Sequence, residues 1–255
     1  MAAISVLPLA DKAVLVTGSA RRIGAVIAEA FHARGARVAV HYRNSRSDAE
    51  TLVARMNAAR AGSAKAFRAD LGDSAALDTL PAAVVREFGR LDVLVNNAST
   101  FYPTPVGEIT QDQFDDLIGS NLRAPLFLAQ AAAPELRKRA GLILNIADIH
   151  ALRPLGRHPV YSAAKAALVM LTRSLARELG PEIRVNAIAP GPVLWPESGV
   201  DEEQRRRIVA RTALQRTGAP DDVAKAALFF ATDAPFVTGE VLAVDGGCLV
   251  GGGDR

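Results

Sequence analysis

One cysteine, Cys248, stands among 255 residues. That scarcity excludes an internal disulfide and a thiolate-cluster metal site, and it leaves Cys248 as an inert residue near the C-terminus. No charge block and no Pro/Gly/Ser-rich linker divides the chain, so a single domain over 1–255, with one large core, is expected. Long apolar runs are also missing: no segment offers the ~18 consecutive apolar residues of a membrane span, and no membrane partner is expected. The opening stretch MAAISVLPLADKAVLVTG lacks a basic n-region and a small-residue cleavage site, which makes the cytoplasm the default address. Net charge is only +3, and the dense run Arg205-Arg206-Arg207 follows acids in DEEQRRRIVAR, as on a solvated helix face. Nucleic acid is therefore not an expected partner. The four histidines, His32, His41, His150 and His158, lack zinc-type spacing, so no metal is expected either.

What the chain does contain is alternation. Short apolar runs bounded by turn residues read as strands at 12–18, 36–42, 64–70, 91–97, 141–147, 183–190 and 240–247. Amphipathic stretches near 22–34, 47–61, 74–89, 110–139, 159–179 and 220–232 read as helices between them. Continuous apolar strands joined by crossover helices predict an α/β fold of Rossmann type, a doubly wound seven-stranded parallel sheet with helices on both faces. Its ligand crevice belongs at the carboxyl ends of the strands.

The first strand runs into Thr17-Gly18-Ser19-Ala20-Arg21-Arg22-Ile23-Gly24 and then a helix. Gly18 and Gly24 allow a tight turn and a close approach to a pyrophosphate at the helix N-terminus, which favours dinucleotide binding over an ordinary strand-to-helix turn. The second strand ends His41-Tyr42-Arg43-Asn44-Ser45, with no carboxylate before Asp48 and with Arg21, Arg22 and Arg43 nearby. A free 2′-hydroxyl is usually held by an acid there, whereas arginines make paired bonds to a 2′-phosphate, so NADPH is expected rather than NADH.

Tyr161 and Lys165 lie four apart on one helical face. A lysine ammonium nearby stabilises phenolate, so the tyrosine pKa is expected to fall from its usual value of about 10, which suits acid catalysis beside a hydride donor. Taken together, TGSARRIG, Asp70-Leu71, VNNAS (95–99), Asn121, YSAAK and Pro190-Gly191 resemble the short-chain dehydrogenase/reductase family in order and spacing. That resemblance implies that Asp70 and Leu71 hold the adenine, that Asn97, Ala98 and Ser99 line the cofactor, and that Asn121, Tyr161 and Lys165 form a proton relay. It also implies that Lys165 binds the nicotinamide ribose and that the protein is a homotetramer, with helices near 121–139 and 159–179 at an interface.

Two departures narrow the reading. Arg22 replaces the middle glycine of the loop, and Asp148 replaces the serine that holds a ketone oxygen in the family's carbonyl reductases. Both resemble pteridine reductases, as do His41-Tyr42 and NNASTFYPTP (96–105). Reducing a ring C=N bond requires a proton at nitrogen, and a pterin presents N–H donors, tasks that a carboxyl serves better than a serine. Ionised, Asp148 accepts from the pterin; protonated, it passes a proton on; as a third reading, it caps a loop. Similarity to pteridine reductases implies an Asp148-Tyr161-Lys165 unit, Phe101 stacking the pterin, and Arg22 and Ser99 contacting substrate or phosphate. Trp195 is placed about evenly as a lid or as packing on the adjacent helix, within a substrate loop near 193–211. His150 and His158 are expected to be solvated loop residues. The glycine-rich tail, Cys248 to Arg255, departs from the family's ending, and whether Arg255 reaches a neighbouring subunit stays open. The expected activity is NADPH-dependent reduction of dihydropterins such as dihydrobiopterin or dihydromonapterin, with dihydrofolate as a further substrate. The alternatives are a carbonyl reductase acting on a 3-oxoacyl thioester and a non-catalytic NADP-sensing regulator.

Overall fold

A computed structural model describes residues 7–195 and 201–251. All seven expected strands form: β1 Ala13–Val16, β2 Arg37–Tyr42, β3 Ala64–Arg68, β4 Val93–Asn96, β5 Leu142–Ile146, β6 Arg184–Pro190 and β7 Val241–Val244. They make one parallel sheet in the order β3-β2-β1-β4-β5-β6-β7. The helices are α1 Arg22–Ala33, α2 Arg46–Ala59, α3 Ser74–Phe88, α4 Gln111–Ile118, α5 Ala124–Arg137, α6 Pro159–Leu179, α7 Glu202–Ala210 and α8 Pro220–Thr232. None is long and apolar enough to cross a membrane.

The period-2 geometry of the strands sorts their side chains into two layers. Val14 and Val16 join Ile27 and Phe31 of α1, Leu52 of α2 and Phe230 of α8 on one face. Ala13 and Leu15 join Leu77 and Val84 of α3 and Leu128 of α5 on the other. Because both faces are covered, the inner strands β1, β4 and β5 read as largely apolar runs, and each fully buried leucine or phenylalanine contributes roughly 1.5–3 kcal/mol. Strand order reverses between β1 and β4, so their carboxyl ends open the crevice that such sheets use for ligands.

Two expectations need correction. The single helix expected over 110–139 is broken: α4 ends at Ile118, residues Gly119–Arg123 form a π turn, and α5 then begins. Asn121 within that turn donates from Nδ2 to the carbonyls of Leu117 and Thr100, both at 3.0 Å, and the second of these bonds is tertiary. A side chain inserted into the backbone ladder in this way is a recognised cause of a π bulge. The substrate loop expected near 193–211 is helical in part, since α7 occupies Glu202–Ala210 and Asp201 and Gln204 close a reciprocal capping box at its start.

Candidate active site

Apart from Asn121, every residue expected to touch cofactor or substrate lines one cleft of about 1510 Å³ at the carboxyl end of the sheet. Its cofactor end is built from backbone. Gly18 has φ +60, and a Cβ there would come within 2.9 Å of the Ala98 Cα; a Cβ on Gly24 would lie 2.5 Å from the Asn97 Nδ2 and the Gly18 carbonyl. Only glycine fits either place. Asn97 Nδ2 donates to the carbonyls of Thr17 and Gly18 at 2.8 and 3.1 Å. Thr17 Oγ1 in turn accepts from the Asn97 and Ala98 N–H groups at 2.9 and 3.0 Å. The first turn of α1 has no acidic residue and no side-chain cap, so its N–H groups and dipole remain open to an anion.

His41 is buried beneath this loop. Its Nδ1 accepts from the Gly18 N–H at 2.9 Å, and Nε2–H donates to the Ala69 carbonyl at 3.1 Å. Both ring nitrogens are therefore committed, and burial pulls its pKa down to about 4 against weaker raising effects from Ala69 and Asp70. His41 braces the loop as a neutral ring. Tyr42 beside it is also buried, in the α1 layer of the core. Arg43 is exposed and only loosely paired with Asp70, at 4.0 Å, while Arg21 lies 3.7 Å from Asp48. Asp70 also accepts from the Gly72 N–H at 2.9 Å.

At the other end, Asp148 follows β5 and performs two tasks at once. Its Oδ1 accepts from the His150 N–H at 2.8 Å, capping a short 3₁₀ turn at Ile149–Ala151. Its Oδ2 accepts from the Tyr161 hydroxyl at 2.8 Å. Lys165, one turn further along α6, donates from Nζ to the Ile146 carbonyl at 2.9 Å and lies 5.8 Å from the Tyr161 ring centre. Burial pulls the Lys165 pKa down to about 8, with the Asp148 charge opposing. The expected depression of the Tyr161 pKa does not occur. Burial and then the adjacent Asp148 carboxylate push it well above its usual value, with a Ser99 hydrogen bond opposing them. The lysine stands four residues away in sequence, whereas the carboxylate of the expected Asp148-Tyr161-Lys165 unit makes the direct contact and outweighs it.

Asn121 is buried behind the cleft wall, where its Oδ1 accepts from the Ser99 hydroxyl at 2.7 Å. Arg22 adopts φ +57 and donates from Nη2 to the Trp195 carbonyl at 3.1 Å. The Trp195 ring lies 5.5 Å from the Arg205 guanidinium of α7, so the tryptophan both lines the cleft and packs on its neighbouring helix. Residues 196–200 of the substrate loop and 252–255 of the tail, with Arg255, lie outside the described residues. Three residues were placed wrongly or undervalued by sequence reasoning. His150 and His158 are half-buried and line the cleft, and Cys248 is a buried free thiol that lines it too. No spacing signal marks them, because their positions depend on loop folding. Among the described residues no group of three or more His, Cys, Asp or Glu side chains is arranged for a metal.

A doubly wound sheet with a glycine-lined dinucleotide crevice and a Tyr-x-x-x-Lys helix beside it defines an oxidoreductase class. A family model described as enoyl-(acyl carrier protein) reductase matches residues 18–248. The chain belongs to the short-chain dehydrogenase/reductase family and is an NAD(P)-dependent oxidoreductase. It is 37% identical to pteridine reductase 1 of Leishmania tarentolae, over 91% of this chain and 94% of that protein. It is also 35% identical to versicolorin reductase stcU of Emericella nidulans, over 94% and 97%. Among solved structures it resembles a blue fluorescent protein from a metagenomic library in complex with NADPH, with TM-score 0.89, 37% identity and coverage of 94% and 99%.

Proposed function

We propose that this chain is an NADPH-dependent reductase of dihydropterins, with dihydrofolate as a further substrate, producing the tetrahydro form, and that it works in the cytoplasm as a single-domain subunit of a homotetramer. The residues fit the cofactor. The Gly18/Gly24 cradle, where a Cβ would collide, and the open N-terminus of α1 suit a pyrophosphate, and Arg21 and Arg43 suit a 2′-phosphate where the strand end offers no acid. When bound, NADPH supplies a hydride. Everything else falls to the chain's own groups.

Tyr161 is held in its protonated form by burial and by Asp148, which makes it a weak acid, so passing its proton to a ring nitrogen depends on a nearby cation to offset the tyrosinate. Asp148 uses one lone pair for Tyr161 and one for the His150 N–H, and the lone pairs that remain can accept from pterin N–H groups. Lys165, with its pKa of about 8, is mostly charged at neutral pH and offsets the tyrosinate left after proton transfer. Its Nζ carries three donors, of which Ile146 takes one, and the rest suit ribose hydroxyls. Asn121 positions Ser99 from behind, and Phe101, exposed at the cleft wall, offers a face for a flat ring.

The observation that carries this reading is the 2.8 Å bond between Tyr161 and a carboxylate in the place where ketone chemistry calls for a neutral hydroxyl. NADPH oxidation is followed with dihydrobiopterin, dihydromonapterin, dihydrofolate and acetoacetyl thioester in parallel. Turnover of the dihydropterins is expected, and turnover of the thioester alone refutes the proposal. Asp148→Ser is expected to remove most pterin turnover, about 10²-fold or more in kcat, with NADPH binding retained.

A further inference from the structure

Phe101 and His158 meet ring on ring, with centroids 4.8 Å apart and planes 10° from parallel. Phe101 also meets Tyr161 edge to face at 4.8 Å and 78°. Residues 97–105 form neither helix nor strand, so no backbone ladder fixes this phenylalanine, and its side chain is 46% exposed. A ring so placed has its plane set by the side chains it touches.

His158, by contrast, is anchored. It immediately precedes α6, and its carbonyl accepts the Ser162 N–H at 3.0 Å. Its Nδ1 lies 2.8 Å from the Gly156 carbonyl, and because a carbonyl only accepts, Nδ1 carries the proton. The imidazole plane is thereby tied to the Gly156 turn that leads into the helix bearing Tyr161 and Lys165.

We propose that His158 is a positioning residue that fixes the plane of Phe101, and through it the plane in which the substrate ring lies relative to the Tyr161 hydroxyl. The proposal rests on the reading of the cleft as a site for a flat nitrogen heterocycle. His158 caps the helix that carries Tyr161, so the wall that orients the ring adjoins the element that bears the protonating group. No relay through His158 is involved; its contribution is geometric.

The test uses the full chain and three proteins: wild type, His158→Ala and His158→Phe. His158→Ala is expected to raise KM for dihydrobiopterin about five- to tenfold and to lower kcat by a similar factor, because a misoriented ring meets the Tyr161 hydroxyl poorly, with the NADPH Kd within about twofold. His158→Phe keeps a flat ring but lacks the Nδ1 donor to Gly156, and is expected to restore KM in part. In ¹³C-phenylalanine spectra the Phe101 ring signal should shift in His158→Ala and return towards wild type in His158→Phe. An unchanged KM in His158→Ala overturns the proposal, as does a His158→Phe variant no better than alanine. A parallel loss of NADPH affinity also overturns it, since that marks damage to the start of α6. If wild type turns over no dihydropterin, the functional reading fails separately. The His158 proposal is then judged on the Phe101 signal and on the same KM pattern with whichever ketone is reduced, and it falls if neither follows.

Discussion

The two ends of the cleft are built by different means. At the cofactor end the decisive features are places where a side chain is forbidden, Gly18 and Gly24, and backbone groups tied down by Thr17, Asn97 and His41. At the substrate end the features are side chains touching side chains: Asp148 on Tyr161, Tyr161 on Phe101, and Phe101 on His158. The first end follows the ends of β1, β2 and β4 and inherits their rigidity. The second sets Tyr161 of α6 among Phe101, Asp148 and His158 from irregular segments, where one substitution can alter which molecule fits without disturbing the sheet. Cofactor binding and substrate choice are therefore separable by mutation.

That separation can be broken or sharpened. The largest effect belongs to Tyr161→Phe, which deletes the hydroxyl that Asp148 holds. The kcat should fall by about 10²–10⁴-fold while the NADPH Kd, read by fluorescence titration, stays unchanged. Gly24→Ala probes the opposite end, because its new methyl meets Asn97 and the Gly18 carbonyl at 2.5 Å. Overpacking costs about 1–3 kcal/mol, so NADPH binding should weaken roughly ten- to a hundredfold. A fall in kcat with intact NADPH affinity would erase the distinction between the two ends.

The smallest effect concerns stability. The folded pKa of His41 lies at about 4, below the 6.5 of an unperturbed histidine, so the unfolded chain takes up the proton first as pH falls. Stability is complete above pH 6.5 and drains away towards pH 4. Urea unfolding should show about 2 kcal/mol lost between pH 7 and pH 5. His41→Asn, which keeps an acceptor for the Gly18 N–H without a titrating ring, should lose that much less. An equal loss in both proteins would assign the acid sensitivity elsewhere.

The strands were legible because a sheet covered on both faces writes itself as apolar runs, such as AVLV at 13–16 and LILNI at 142–146. The cofactor loop was legible for a related reason: glycine and a missing acid are local signals. The break in the expected helix over 110–139 was not, because the bond that sustains it runs from Asn121 to the distant Thr100 carbonyl. The direction of the Tyr161 shift was missed on similar grounds. Sequence supplied the lysine at i+4, but only folding brings the Asp148 carboxylate to 2.8 Å and removes water from both. His158 carries no motif at all, and its partner, Phe101, was read alone.

Arg22 bends the chain in a left-handed conformation that costs an L-residue about 1–2 kcal/mol. The protein thus gives up part of a narrow stability margin to hold a guanidinium between the nucleotide loop and the Trp195 carbonyl. A residue held against its own backbone preference bridges the two banks of the cleft and makes position 22 the place where the otherwise separable ends meet.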